Sequence, residues 1–308
     1  MYTESWFESH GAGRIHCLRW SPEGPVKGVV QIVHGIADFA ARYDGFARFL
    51  NERGFLVVAE DHMGHGGSIA GGSIQGHFHG GWFAAVADTY HLLQETRKEF
   101  PDVPYILFGH SMGSFMARTI LCKYPDSGIS GAVICGTAWQ PAALLPAVIK
   151  LCELECRRIG ETKPSEFLQG LAFGSYNRKV EHPRTDFDWI SRDSREVDAY
   201  IAHPHCGFTA TAGLLRDMMK GIQYIETPGN LGAMGKELPV FFVAGGADPV
   251  GDFGKSVRLA AEKFQKAGMR DVSVKIYPLC RHEILNEINK EEIYNDIWEW
   301  ILQKLQKT

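Results

Sequence analysis

The chain has 308 residues, of which 45% are hydrophobic and 22% charged, and its formal net charge is −4. That length carries one large α/β domain with an insertion, or two modest domains. Charges of both signs are interleaved with no long basic block, which argues against nucleic acid as a partner, and no run of about eighteen apolar residues suggests a transmembrane helix.

In chain order, residues 2–8 and 13–20 are short extended candidates around Gly11-Ala12-Gly13, an expected opening hairpin. Val29 to Val33 is a β-branched run ending at His34-Gly35. Over 41–53, Phe46, Phe49 and Leu50 have helical spacing, and Gly54 stops the helix. Phe55 to Ala59 is the next buried strand, followed by a loop rich in glycine and histidine from Asp61 to Gly80. Trp82, Val86, Tyr90 and Leu93 mark a helix to about Phe100. A third buried strand covers 105–108, a helix 113–124 and a fourth strand 131–135. Strands at 239–243 and 272–277 flank a helix near 254–267, and Ile293, Ile297, Ile301 and Leu305 stripe a last helix.

Strands alternating with helices imply a mostly parallel sheet covered on both faces, and continuous apolar runs fit strands buried on both sides. Ligand sites in such sheets lie at the carboxyl ends of the strands. Residues 140–220 break the rhythm, with helical stretches and no strong strand. We read them as an inserted, mainly helical cap, with 1–139 and 221–308 as the core. Within the insertion Leu144, Leu145, Val148 and Leu151 share a helical face, and Asp193 with Glu196 is expected to open a short helix with a capping box. The plainer alternative is a peripheral insertion with no part in the site.

Gly109-His110-Ser111-Met112-Gly113 matches G-x-S-x-G with a strand before it and a helix after it. The glycines suit a sharp turn that leaves no room for side chains beside the serine. A serine hydroxyl becomes a useful nucleophile only when a base takes its proton. In this arrangement the partners follow in the order Ser, acid, His. Asp248 stands just after the strand at 239–243, and His282 follows the strand at 272–277. Ser111, Asp248 and His282 are therefore the expected catalytic residues, with Asp252 as a rival acid. The backbone N–H groups of Met112 and Ile36 are the expected oxyanion donors. His34, Gly35, His110, Leu144, Leu145 and Val148 are the expected substrate-contacting residues.

Several short segments resemble the monoacylglycerol lipase and lysophospholipase branch of the α/β hydrolases. They are His34-Gly35 with Arg42-Tyr43, Asp61 to Ser68, Gly109 to Gly113, Gly245 to Val250, and Arg281 to Glu287. The resemblance implies the α/β-hydrolase fold, a cap over an acyl-binding tunnel, and hydrolysis of glycerol monoesters or lysophospholipids by Ser111, Asp248 and His282. Ile36 stands where alanine is typical, which narrows the mouth of the site. A peptidase or a carboxylesterase for small esters would use the same residues. A peptidase would need a carboxylate for the substrate amine, and Glu153, Glu155, Glu161, Glu166, Asp186 and Asp188 are candidates. A ligand-binding module on a hydrolase fold is the non-enzymatic alternative.

Asp61, His62, His65, His77 and His79 could be read as a metal site. No second ligand set joins them, so neither a metal nor an organic cofactor is expected. The partner expected is a small, lipid-like ester, with transient contact of the cap with a membrane surface. Seven cysteines, an odd number, fit buried free thiols and a reducing compartment. With no signal-peptide pattern over 1–20, a cytoplasmic location is expected.

Overall fold

Along each central strand of the computed structural model, which describes residues 2–305, alternate side chains enter two different cores. The strands are β1 (Thr3–Glu8), β2 (Arg14–Trp20), β3 (Gly28–Val33), β4 (Phe55–Glu60), β5 (Tyr105–His110), β6 (Gly131–Cys135), β7 (Val240–Gly245) and β8 (Val272–Tyr277). They form one sheet in the order β1-β2-β4-β3-β5-β6-β7-β8. The pairs β1–β2 and β2–β4 are antiparallel, and the rest are parallel. Leu107, Ala132, Ile134 and Phe242 enter the core on one face. Ile106, Phe108, Val133 and Phe241 enter the other. This period of two inside unbroken apolar runs is what a strand needs when both faces are covered.

The first core is closed by α2 (Trp82–Glu99), α3 (Met112–Lys123) and α9 (Lys255–Lys266), and the second by α1 (Asp44–Asn51) and α10 (Lys290–Leu305). The strand at 272–277 departs from the expected double burial. β8 is the sheet's last strand, and its side chains are half-buried except Tyr277.

Between β6 and β7 lie α4 (Leu145–Ile159), α5 (Glu166–Phe173), α6 (Ser194–Ala202), α7 (Ala212–Glu226) and α8 (Pro228–Ala233). The boundary at residue 220 falls inside α7, which packs on α2 and α3 as well as on α4. The capping box is only half formed. Asp193 accepts from the Arg195 N–H (3.0 Å), but Glu196 turns away to Lys290 (3.1 Å), and the Asp193 N–H donates to Ser191 Oγ (3.0 Å). A charged partner across the chain outcompetes the local backbone donor.

The glycines around Ser111 are required by close approach. A Cβ on Gly113 would lie 2.0 Å from the Val33 carbonyl oxygen, and one on Gly109 would lie 2.4 Å from the Gly113 oxygen. α3 therefore leaves the sheet edge with no space for a methyl group. Gly113→Ala should cost about 3 kcal/mol, at the upper end for overpacking because the atom met is backbone. The check is a denaturant melt, and an unchanged midpoint would contradict the packing described.

Candidate active site

Parallel pairing brings the ends of β3, β5, β6, β7 and β8 to one edge, and the expected catalytic residues all follow those ends. Ser111 joins β5 to α3 with φ 54° and ψ −121°. This left-handed backbone is costly for a residue with a Cβ and persists only where neighbours hold it. Its N–H donates to the Cys135 oxygen (3.0 Å), and its carbonyl accepts from the Ser114 N–H (2.9 Å) and hydroxyl (2.6 Å). The hydroxyl has no hydrogen-bond partner among the described residues and stands at the wall of a cavity, beside the positive N-terminus of α3.

His282 Nδ1 lies 2.9 Å from Asp248 Oδ2. Asp248 is fully buried, and its other oxygen accepts from the Val250 N–H (2.8 Å). That bond fixes the carboxylate, so Nδ1 carries the proton and Nε2 is an acceptor with no protein partner among the described residues. Burial alone pushes the His282 pKa down, but the charge of Asp248 and its hydrogen bond outweigh this and hold it above 6.5. The rival Asp252 is exposed in the next turn and makes no bond to the ring.

The loop after β3 lies against the serine, and a Cβ on Gly35 would sit 3.3 Å from Ser111 Cβ. The N–H groups of Ile36 and Met112 are not taken by any acceptor among the described residues. Ala37 is also left-handed (φ 50°), and its carbonyl accepts from the Gly207 N–H (3.1 Å). His34 does not reach the cavity. It is fully buried, its Nδ1 is 2.7 Å from the Gly35 oxygen, and its Nε2 accepts from the His62 N–H (3.0 Å). The His62 ring stacks on it, with Nε2 3.1 Å from the His34 oxygen. His34 therefore holds the loop from behind, and its substrate-contacting role is corrected accordingly.

A buried charge cluster ties this loop to the His282 loop. Arg42 meets Glu283 with two nitrogens (2.7 and 2.6 Å) and Asp38 with one (3.0 Å). The Tyr43 hydroxyl bridges Asp38 Oδ2 (2.9 Å) and His110 Nδ1 (2.9 Å). Burial favours a neutral Glu283, but Arg42 prevails and holds its carboxyl well below the usual range. Burial and the neighbouring His282 push His110 down to about 3, so that ring stays neutral.

The insertion grips the same loop. Arg281 Nη1 donates to the Ser191 oxygen (2.9 Å), the Glu283 N–H donates to the Ile190 oxygen (2.7 Å), and Trp189 packs on the His282 ring at 5.2 Å. Sequence reasoning missed Asp38, Glu283 and Trp189 as parts of the site. A carboxylate next to the candidate histidine was the one signal available, since Arg42 and Glu283 are 241 positions apart.

A cavity of 460 Å³ opens on Ser111 and His282. Gly35, Ile36, His110 and Met112 line it at the sheet edge, and Leu144, Leu145, Val148 and Leu151 line it from α4 and its approach. Met218, Met219 and Ile222 of α7 face them. No lysine or arginine lines it among the described residues. The histidine-rich loop has other duties. Asp61 accepts from the Ala40 and Gly67 N–H groups (2.7 and 2.8 Å) and meets His16 (2.8 Å), and burial pushes His65 down to about 3. All seven cysteines are free thiols, and no helix among the described residues is long and apolar enough to cross a membrane.

Residues 24–289 match the family described as serine aminopeptidase, S33. A monoacylglycerol lipase of Mycolicibacterium smegmatis is 27% identical, with 98% of each chain covered. A monoglyceride lipase of Mus musculus is 26% identical over 94% of this chain and 88% of its own. The crystal structure of a thermostable carboxyl esterase from Bacillus coagulans in complex with glycerol is 27% identical, covers 98% of both chains and has a TM-score of 0.90.

Proposed function

The chain belongs to the serine aminopeptidase S33 family of α/β hydrolases, in its monoacylglycerol lipase-like branch, and from that premise we propose that this ester hydrolase cleaves monoacylglycerols with Ser111, His282 and Asp248. His282 takes the Ser111 proton as the oxygen attacks the ester carbonyl. The oxyanion is met by the Ile36 and Met112 N–H groups. The C–O bond to the alcohol breaks, the alcohol leaves with the proton from His282, and water then releases the acid by the same steps.

The observation that carries the substrate is the lining of the 460 Å³ cavity, apolar from α4 to α7 and without a cation among the described residues. An acyl chain gains from burial there. A lysophospholipid would bring an anionic phosphate with no guanidinium or ammonium to meet it, and an unpaired charge is expensive to bury. The family description names an aminopeptidase, but the two lipase relatives align over nearly the whole chain, and the apolar lining agrees with them.

The test compares kcat/KM along a series of neutral monoacylglycerols and against lysophosphatidic acids of matched chain. Each added methylene should raise kcat/KM by about fourfold until the cavity is filled. The anionic series should lag by at least about tenfold. Equal or faster turnover of the anionic series would overturn the choice of head group.

A further inference from the structure

Two buried carboxyls beside the cavity share one cation. Glu283 takes two nitrogens of Arg42 (2.7 and 2.6 Å), and Asp38 takes one (3.0 Å). Asp38 is 3% exposed and lines the same cavity as Ser111. A Cβ on Gly35 would sit 3.3 Å from Ser111 Cβ and 3.7 Å from Asp38 Oδ2, so a single glycine separates the carboxyl from the serine. A second anion there would be costly to bury and would oppose the oxyanion.

The hydrogen bonds around Asp38 fix where the protons lie. His110 Nε2 is 3.3 Å from the His282 carbonyl oxygen, which can only accept. The His110 ring is neutral, so its one proton is on Nε2 and its Nδ1 is an acceptor. The other tautomer would set a lone pair of Nε2 against the carbonyl. Burial keeps the Tyr43 phenol protonated, and its single proton goes to His110 Nδ1 (2.9 Å). The Tyr43 oxygen is then left with lone pairs toward Asp38 Oδ2 (2.9 Å), and that contact is a bond only if Oδ2 carries a proton. Asp38 Oδ1 accepts from the Phe39 N–H (2.8 Å) and from Arg42, as the carbonyl oxygen of an acid does, and the Gly35 N–H approaches Oδ2 at 3.4 Å.

We propose that Asp38 is a positioning residue that works as a neutral acid, its Oδ2–H donating to Tyr43, Tyr43 to His110 Nδ1, and His110 Nε2–H to the His282 carbonyl. The chain of donors runs from the loop that carries the Ile36 N–H to the backbone of the base, and it leaves Glu283 as the one anion paired with Arg42. The surroundings agree. Burial pushes the Asp38 carboxyl up, the charge of Arg42 opposes this and that of Glu283 adds to it, with a net rise. Asp38 faces Arg42 and Tyr43 on its own turn, His282 and Glu283 after β8, His110 through Tyr43, and Tyr200 and Cys206 of the insertion, both of which burial keeps neutral. The role at the site rests on the reading of His282 as the base, whereas the proton on Asp38 does not.

The experiment is an infrared difference spectrum at neutral pH, wild type minus Asp38→Asn, with the pH profile of kcat/KM and fluorophosphonate labelling of both. Asparagine offers one acceptor and N–H donors, so it copies the acid and not the carboxylate. The spectrum should show the C=O stretch of a protonated carboxyl, shifted in D2O and absent from the variant. An ionised Asp38 would help to hold the His282 pKa up, so the acid limb should stay in place only if asparagine replaces a neutral group. Asp38→Leu gives Tyr43 no donor and Arg42 no acceptor, and its kcat/KM should fall at least about tenfold below that of the asparagine variant. Absence of the carboxyl band overturns the proton, as does an acid limb that moves to lower pH in Asp38→Asn. Leucine as active as asparagine overturns the positioning role. Failure of the probe to label wild-type Ser111 defeats the proposed function and that role with it, and the band still decides the proton.

Discussion

Replacing Ser111 with alanine should lower kcat on a monoacylglycerol by about 10⁴- to 10⁶-fold. The loss is large because, among the described residues, the hydroxyl is the only candidate nucleophile between the two free N–H groups and the unpartnered nitrogen of His282. It is not total, because oxyanion donors and binding alone retain some rate advantage over water. The fold should survive. The hydroxyl makes no hydrogen bond among the described residues, and alanine keeps the Cβ that the left-handed backbone already accommodates. Turnover and the thermal midpoint are measured together. A folded variant with near-normal kcat would exclude the mechanism.

Asp248→Asn should cost about 10⁴-fold in kcat, because an amide at that position no longer fixes the proton on Nδ1. The carboxylate also sets the pH dependence. The active form has a neutral ring, so activity is lost as pH falls through the His282 pKa. Asp248 holds that pKa above 6.5, so the acid limb of wild-type kcat/KM should lie above 6.5. In the variant the depressing effect of burial acts without its main opponent, and the limb should move to lower pH. A wild-type profile flat across about pH 5 to 8 would count against a histidine base.

The parts of this arrangement that depend on neighbours in sequence were legible before the structure. Unbroken apolar runs marked the buried strands, and the glycines beside Ser111 marked the turn that Val33 and Ala117 crowd. The rhythm of strands then brought Asp248 and His282 to the same edge. What was not legible depends on contacts across the chain. Nothing local distinguishes a histidine that lines a cavity, such as His110, from one that braces a loop from behind, as His34 does. The pairing of Arg42 with Glu283 closes a separation of 241 positions, and the packing of Trp189 on His282 follows from how the insertion docks. The capping box at Asp193 failed because Lys290, distant in sequence, drew Glu196 away from its own helix.

The most direct test of Ser111 as an activated nucleophile is labelling with a fluorophosphonate, wild type beside Ser111→Ala, read by intact mass. A single adduct on wild type and none on the variant is the predicted result. An adduct on both proteins, or none on well-folded wild type, would contradict it.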